Sequence, residues 1–491
     1  MPTLLKPMFK RFKSPEVSLV SLGIIGLLLF IPIYPKFPFF NVSGTYVAVR
    51  IEDFVVVFVL LLWFVHQLRL GFPSLKDRVG KFIMLYWLVG GLSLLSAVLI
   101  TKNISPSLAL FHFLRRIEYM SLFFVALASI RSVKNLKTYG GVFFLATIGV
   151  IIYGLGQKFA QWPVISTMNS EFSKGMLLTL SEWARINSTF AGHYDLAAFM
   201  ILALTLVVGF FFGLKSKKAK AGLFLIGFAA LYILILTASR ISFAAYLLAI
   251  AFVMLALRKY WWVGPVLALS LGMMLLSDEI TQRYALTFNI DLSAFSSKFS
   301  RGQQSIGPIL ATPTPEKEPE VVKGGPVGPK TISTPTPTII KPKIEEEWVP
   351  TTELAVQYSS GIRFNVEWPR SLRAFAKNPF LGTGYSSVTL ATDNDYLRLL
   401  AETGLMGFAA FFLIFLEIGR RVWVFLKKAK AGLERALVAG LAGGALGLLA
   451  NALFIDVFES SKVAFIFWIL MGSLVGLMNI SEKAMEADEK K

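Results

Sequence analysis

The chain has 491 residues, of which 55% are hydrophobic and 16% charged, with 43 Phe and no Cys. Long apolar blocks at that density exclude a soluble globular protein and define a polytopic membrane protein, and the lack of Cys excludes disulfides, thiolate metal sites and a thiol nucleophile. The formal charge of +19 sits in short Lys/Arg segments between apolar blocks, which is a topology signal and not the footprint of a nucleic-acid partner. His66, His112 and His193 lie far apart in sequence, so a metal site built from His is not expected.

In chain order, Lys6, Lys10, Arg11 and Lys13 precede the apolar run Val17–Tyr34, the pattern of a basic flank and a signal-anchor helix. Further apolar blocks lie at Phe54–Leu70, Phe82–Ile100, Leu108–Ile130, Gly140–Leu155, Leu196–Leu214, Ala221–Leu236, Ile241–Leu257, Trp261–Leu276, Tyr396–Ile418, Ala436–Phe454 and Val463–Ile480. Each is near the roughly 20 residues that span a bilayer, which gives an all-α polytopic fold of about twelve transmembrane helices. Lys/Arg clusters fall in every second connection, so both termini are expected on the cytoplasmic side. Residues 1–277 then hold helices 1–9 with an outer loop at 157–195. Residues 278–395 form a large extracytoplasmic loop, and 396–491 hold helices 10–12 and the tail.

Within the large loop, residues 312–350 are too rich in Pro, Thr and charge to bury a core and are expected to be a disordered spacer. After it, the spacing of Arg363, Trp368, Leu372 and Phe375 predicts a short amphipathic helix, ended by Asn378-Pro379 and lying at the outer membrane surface.

The ionisable residues assigned to the outer side near helix ends are Arg185, His193, Arg240, Arg363, Arg370, Arg373, Asp393, Asp395 and Glu402. Asp393, Asn394 and Asp395 stand together at the entrance of a helix, and polar groups at a membrane boundary are costly unless solvated or paired. Arg240 lies in TASRIS, a very short link between two apolar runs, where its guanidinium fork suits phosphate oxygens. A single boundary arginine more commonly anchors a headgroup or a salt bridge than binds a ligand. Asp395 is read as the cap of the helix beginning at Tyr396. His66 and His112 are read as structural, and the glycines of AGLAGGALG as helix-packing positions. These residues fit an outward-facing enzyme or a transporter for an anionic substrate; the residues alone do not choose between them.

Three segments, LTASRISFAAYLLAI, GIRFNVEWPRSLRAFAKNPFLGTGYSS and DNDYLRLLAETGLMGFAAFF, together resemble the O-antigen ligase and Wzy-type polymerase superfamily of bacterial envelope glycan enzymes, and RINSTFAGHYDLAAFM adds to the likeness. The resemblance implies transfer of a glycan from an undecaprenyl diphosphate donor in the cytoplasmic membrane to a glycan, lipid or protein acceptor, without cofactor or metal. It implies that Arg240 and Arg363 neutralise the diphosphate, with Arg185 as helper. Asp393 stands where many ligases have a His before an Asn-x-Tyr-Leu motif, here Asn394, Tyr396 and Leu397, so the base it implies is a carboxylate. His193, Arg370, Arg373, Asn394, Tyr396 and Glu402 complete the expected substrate contacts. Ligase, polymerase and inactive relative all remain compatible with this departure.

Overall fold

The computed structural model describes residues 18–41, 48–102, 104–164, 179–180, 184–275, 361–388 and 392–489. The basic N-terminal flank, the spacer 312–350 and residues 276–360 as a whole lie outside the described residues.

The helices in chain order are α1 (Leu19–Ile33), α2 (Ile51–Leu68), α3 (Arg78–Ser96, continued by a π turn Ala97–Thr101), α4 (Pro106–Ser129), α5 (Val133–Phe159), α6 (His193–Gly213), α7 (Lys217–Leu236), α8 (Arg240–Ala256) and α9 (Tyr260–Leu275). After residue 360 come a π turn (Arg363–Glu367), α10 (Trp368–Lys377), α11 (Asp395–Lys428), α12 (Leu433–Asn451) and α13 (Ser461–Glu489). Among the described residues eight helices are long and apolar enough to cross a membrane, namely α2, α3, α5, α6, α7, α11, α12 and α13. Helices α1, α8 and α9 are apolar but shorter. Helix α4 carries Arg115, Arg116 and Glu118 among its apolar residues.

One feature departs from an all-α reading. Strands β1 (Pro38–Asn41) and β2 (Ala48–Arg50) pair antiparallel between α1 and α2, with Pro38 opposite Arg50. Runs of three and four residues are too short to show a period-two pattern, so the sequence gives no strand signal there.

Helices α6 and α13 form the centre. Val463 to Met471 of α13 are buried without a break, as expected of a helix apolar on every side. Small residues let α12 approach α6 and α8 at backbone distance: a Cβ on Gly440 would meet the Thr205 carbonyl at 2.9 Å, and one on Gly443 would meet Val253 at 2.2 Å. The start of α13 is tied down by Lys462, whose buried Nζ donates to the carbonyls of Thr189 at 2.8 Å and Pro32 at 3.3 Å. A buried cation needs such partners.

The start of α11 decides where the polar residues sit. Asn394, with extended backbone, is the cap: its side chain accepts from the N–H groups of Tyr396 and Leu397 at 3.0 and 2.9 Å. This corrects the reading of Asp395 as the cap. Asp395 is already helical, and its carboxylate instead accepts from Phe458 N–H at 3.1 Å. The first turns of α11 end at Gly404, where φ is +66° and the helix axis breaks before the apolar part begins. Residues 379–384 run along that break, with Leu405 N–H donating to Pro379 C=O at 2.8 Å and Gly384 N–H to Glu402 C=O at 2.9 Å. A Cβ on Gly404 would lie 2.3 Å from the Phe380 carbonyl, so the turn needs glycine for both conformation and space.

Candidate functional site

The ends of α1, α6, α8, α11, α12 and α13 that carry the polar residues meet at one end of the bundle. The π turn Arg363–Glu367 leads there. A π turn closes i→i+5 bonds, here from Trp368 N–H to Arg363 C=O, and such turns are frequent at functional sites. Arg363, only 5% exposed, donates from Nε to Asp393 Oδ2 at 2.8 Å, and its Nη2 lies 2.8 Å from the same oxygen. The Tyr194 side chain also lies close enough to Arg363 to interact with it electrostatically. Beside Tyr194, the His193 ring lies 4.1 Å away, and His193 Nε2 is 2.9 Å from Arg185 Nη1. Arg185, His193, Arg363 and Asp393, chosen from three separate stretches of sequence, are therefore brought into one connected set.

Arg240 is the first residue of α8, half-buried, after the tight turn Thr237–Ser239 in which Ala238 has φ +49°. Ser242, in the same first turn, donates to Asn451 Oδ1 at 3.1 Å. Asn451 ends α12, and the Ala452 carbonyl beyond it accepts from Asp395 N–H at 3.0 Å. Arg240 thus opens a helix whose end is fixed against the connection beside the Asp393 loop. Arg370 is half-buried on α10, whereas Arg373 is exposed on the same helix.

The other expected contacts are held by the fold. Asn394 is engaged as the cap. The Tyr396 hydroxyl donates to Leu449 C=O at 2.6 Å. Glu402 is buried, accepts from Ser386 N–H at 3.2 Å, and lies 3.7 Å from Arg398.

Two carboxylates that were not singled out in the sequence complete the set. Asp456, in the connection between α12 and α13, accepts from Thr392 N–H at 2.8 Å and Asn394 N–H at 3.0 Å, and pairs with Arg398 Nη2 at 2.9 Å. It therefore grips the peptide on both sides of Asp393, which has φ +49°, a left-handed conformation that Asp adopts more readily than most residues. Glu367 lies one turn after Arg363 and is 8% exposed. The available signals were Glu367's place in the Arg363 segment, and a carboxylate in the short link LFIDVFES between the last two apolar blocks.

Burial lifts the Asp393 carboxyl above the usual aspartate range; Arg363 opposes this and Asp456 adds to it. Burial, with Asp393 and Asp456 nearby, pushes the Glu367 carboxyl up to about 7 against the pull of Arg363 and Arg370.

Asp456→Ala is expected to reduce any activity of this site at least about a hundredfold and to lower stability by about 3 kcal/mol, because a buried guanidinium and two N–H groups lose their acceptor. Asp456→Asn, which keeps one acceptor oxygen, should fall in between. Thermal unfolding in detergent, read beside activity, checks both.

Fold and site together define a multi-pass α-helical membrane protein with an arginine- and carboxylate-lined cluster at one end. Residues 224–412 match the family model described as O-antigen ligase, which bears out the resemblance to the O-antigen ligase and Wzy-type superfamily and indicates an O-antigen ligase- or polymerase-like membrane protein. The matched segment contains Arg240, Arg363, Glu367 and Asp393, and ends before Asp456. No curated protein matches the chain.

Proposed function

We propose that this protein is a membrane glycosyltransferase, O-antigen ligase-like, that moves a glycan from an undecaprenyl diphosphate carrier to an acceptor hydroxyl on the outer face of the cytoplasmic membrane. The reading rests on one observation above the others, the buried Arg363 paired with Asp393 inside the matched segment. Departure of a diphosphate builds negative charge, and a prepositioned guanidinium in a partly dehydrated site stabilises it. Arg240 and Arg363 receive that charge, with Arg185 as helper.

The incoming diphosphate competes with Asp393 for Arg363 and so releases the carboxylate as a base. The acceptor O–H bond breaks with its proton passing to Asp393, the acceptor oxygen bonds to the anomeric carbon, and the carbon–phosphate oxygen bond breaks with its electron pair leaving on the diphosphate. A single displacement of this kind inverts the anomeric centre and needs no metal. Both chain termini then face the cytoplasm.

The test is gel analysis of lipid-linked and surface glycans in a strain lacking the protein. Long lipid-linked chains are the expected accumulation; single repeats would reassign it as a Wzy-type polymerase, and unchanged glycans would overturn both.

A further inference from the structure

Glu367 is the carboxylate of this cluster that the fold leaves uncommitted. Its Oε2 is buried and has no hydrogen-bond partner among the described residues. Asp393 is held by Arg363, and Asp456 by Arg398 and two backbone N–H groups. The charged groups facing Glu367 are Asp393 from the loop before α11, Asp456 from the α12–α13 connection, and Arg363 and Arg370 from its own segment. Among the described residues no three His, Cys, Asp or Glu side chains converge as metal ligands, so these carboxylates are not arranged as a cation site.

Counting Glu367 itself, three carboxylates stand with three guanidinium groups, Arg363, Arg370 and the Arg398 that pairs with Asp456, so these groups hold no spare positive charge before any substrate arrives. A diphosphate ester adds further negative charge, and like charges gathered in a buried site force one group to give up its ionisation. Neutralising Asp456 would sacrifice its pair with Arg398, and neutralising Asp393 would remove the base. Neutralising Glu367 sacrifices neither and turns an orphaned acceptor into an O–H donor. Its carboxyl is already lifted to about 7 by burial and by the two aspartates.

We propose that Glu367 is a further donor-binding group, which meets the diphosphate as the neutral acid and donates its O–H to a phosphate oxygen, so that one proton is taken up from water as the donor binds. This rests on the diphosphate reading of the site. It gives the donor step a pH dependence: affinity is complete below the Glu367 pKa and falls as pH rises through it.

The experiment measures the Kd of farnesyl diphosphate, as a polyprenyl diphosphate probe, for the detergent-purified full chain from pH 6 to 9. The expected result is that wild-type affinity falls about tenfold more than that of Glu367→Gln between pH 8 and 9, because Gln is a neutral isostere that keeps a donor. Comparing the two chains cancels the probe's own titration. Glu367→Met, which can neither ionise nor donate, should bind about tenfold more weakly than Glu367→Gln at every pH. Parallel profiles for wild type and Glu367→Gln overturn the proposal, as does a Met variant that binds like Gln. If the wild type fails to bind the probe, or binds it equally well after Arg363→Ala, the diphosphate reading itself falls and this proposal with it. Probe binding that requires Arg363 but ignores Glu367 leaves that reading standing and removes only the present one.

Discussion

Arg363→Ala is expected to lower glycan transfer by at least about a hundredfold, the scale of losing a preorganised donor to developing negative charge, while the amount of protein in the membrane stays unchanged. Two effects combine. The diphosphate loses its buried guanidinium, and Asp393 loses the partner that holds it in place at 2.8 Å. Folding should survive because the Asp393 side chain left behind is 27% exposed and can be hydrated. Arg240→Ala is expected to act in the same direction through the diphosphate. Arg363→Lys should recover little, because an ammonium lacks the planar fork of donors that a guanidinium offers to two phosphate oxygens. Transfer assayed with a lipid-linked donor, normalised to membrane protein level, measures these effects; normal yield and product length in both alanine variants would sink the assignment.

The second large effect is expected from Asp393→Asn, which keeps the shape of the side chain and removes its capacity to accept a proton. General-base catalysis is worth about 10²–10⁴ in rate, so transfer should fall by that order while probe binding persists. Deleting residues 312–350 should leave transfer intact, and the opposite pattern would place the chemistry elsewhere. The pH profile gives a further check. Asp393 must be ionised to act, and its pKa is raised, so wild-type transfer should fall as pH drops through that value. The proposed acid role of Glu367 adds an alkaline limb above about 7 that Glu367→Gln should remove.

Much of the architecture could be read locally. A chain in hydrocarbon must satisfy its backbone within each segment, so apolar blocks of sufficient length report helices almost directly. Arg240, Arg363 and Asp393 are candidates from the sequence because a charge near the end of an apolar block is costly wherever it sits. The local reading was weakest where two residues could play the same part. Asn394 and Asp395 are both good caps, and only the backbone, extended at Asn394 and helical at Asp395, decides between them. Helix α11 also runs on to Lys428, past the apolar block that ends at Ile418, and Arg421 in that extension pairs with Asp77 at 3.1 Å, a partner more than three hundred positions away.

The sequence by itself determined that the chain is helical and membrane-spanning, and that its charges concentrate at helix ends, since those properties follow from composition and local periodicity. Only the tertiary structure decided which charges share a site. Asp456 reaches the peptide around Asp393 from about sixty residues downstream, and Tyr194 reaches Arg363 from the start of α6. Glu367 becomes distinctive only when its neighbours are known, because a buried carboxylate oxygen with no hydrogen-bond partner among the described residues is a property of packing and not of any local sequence pattern.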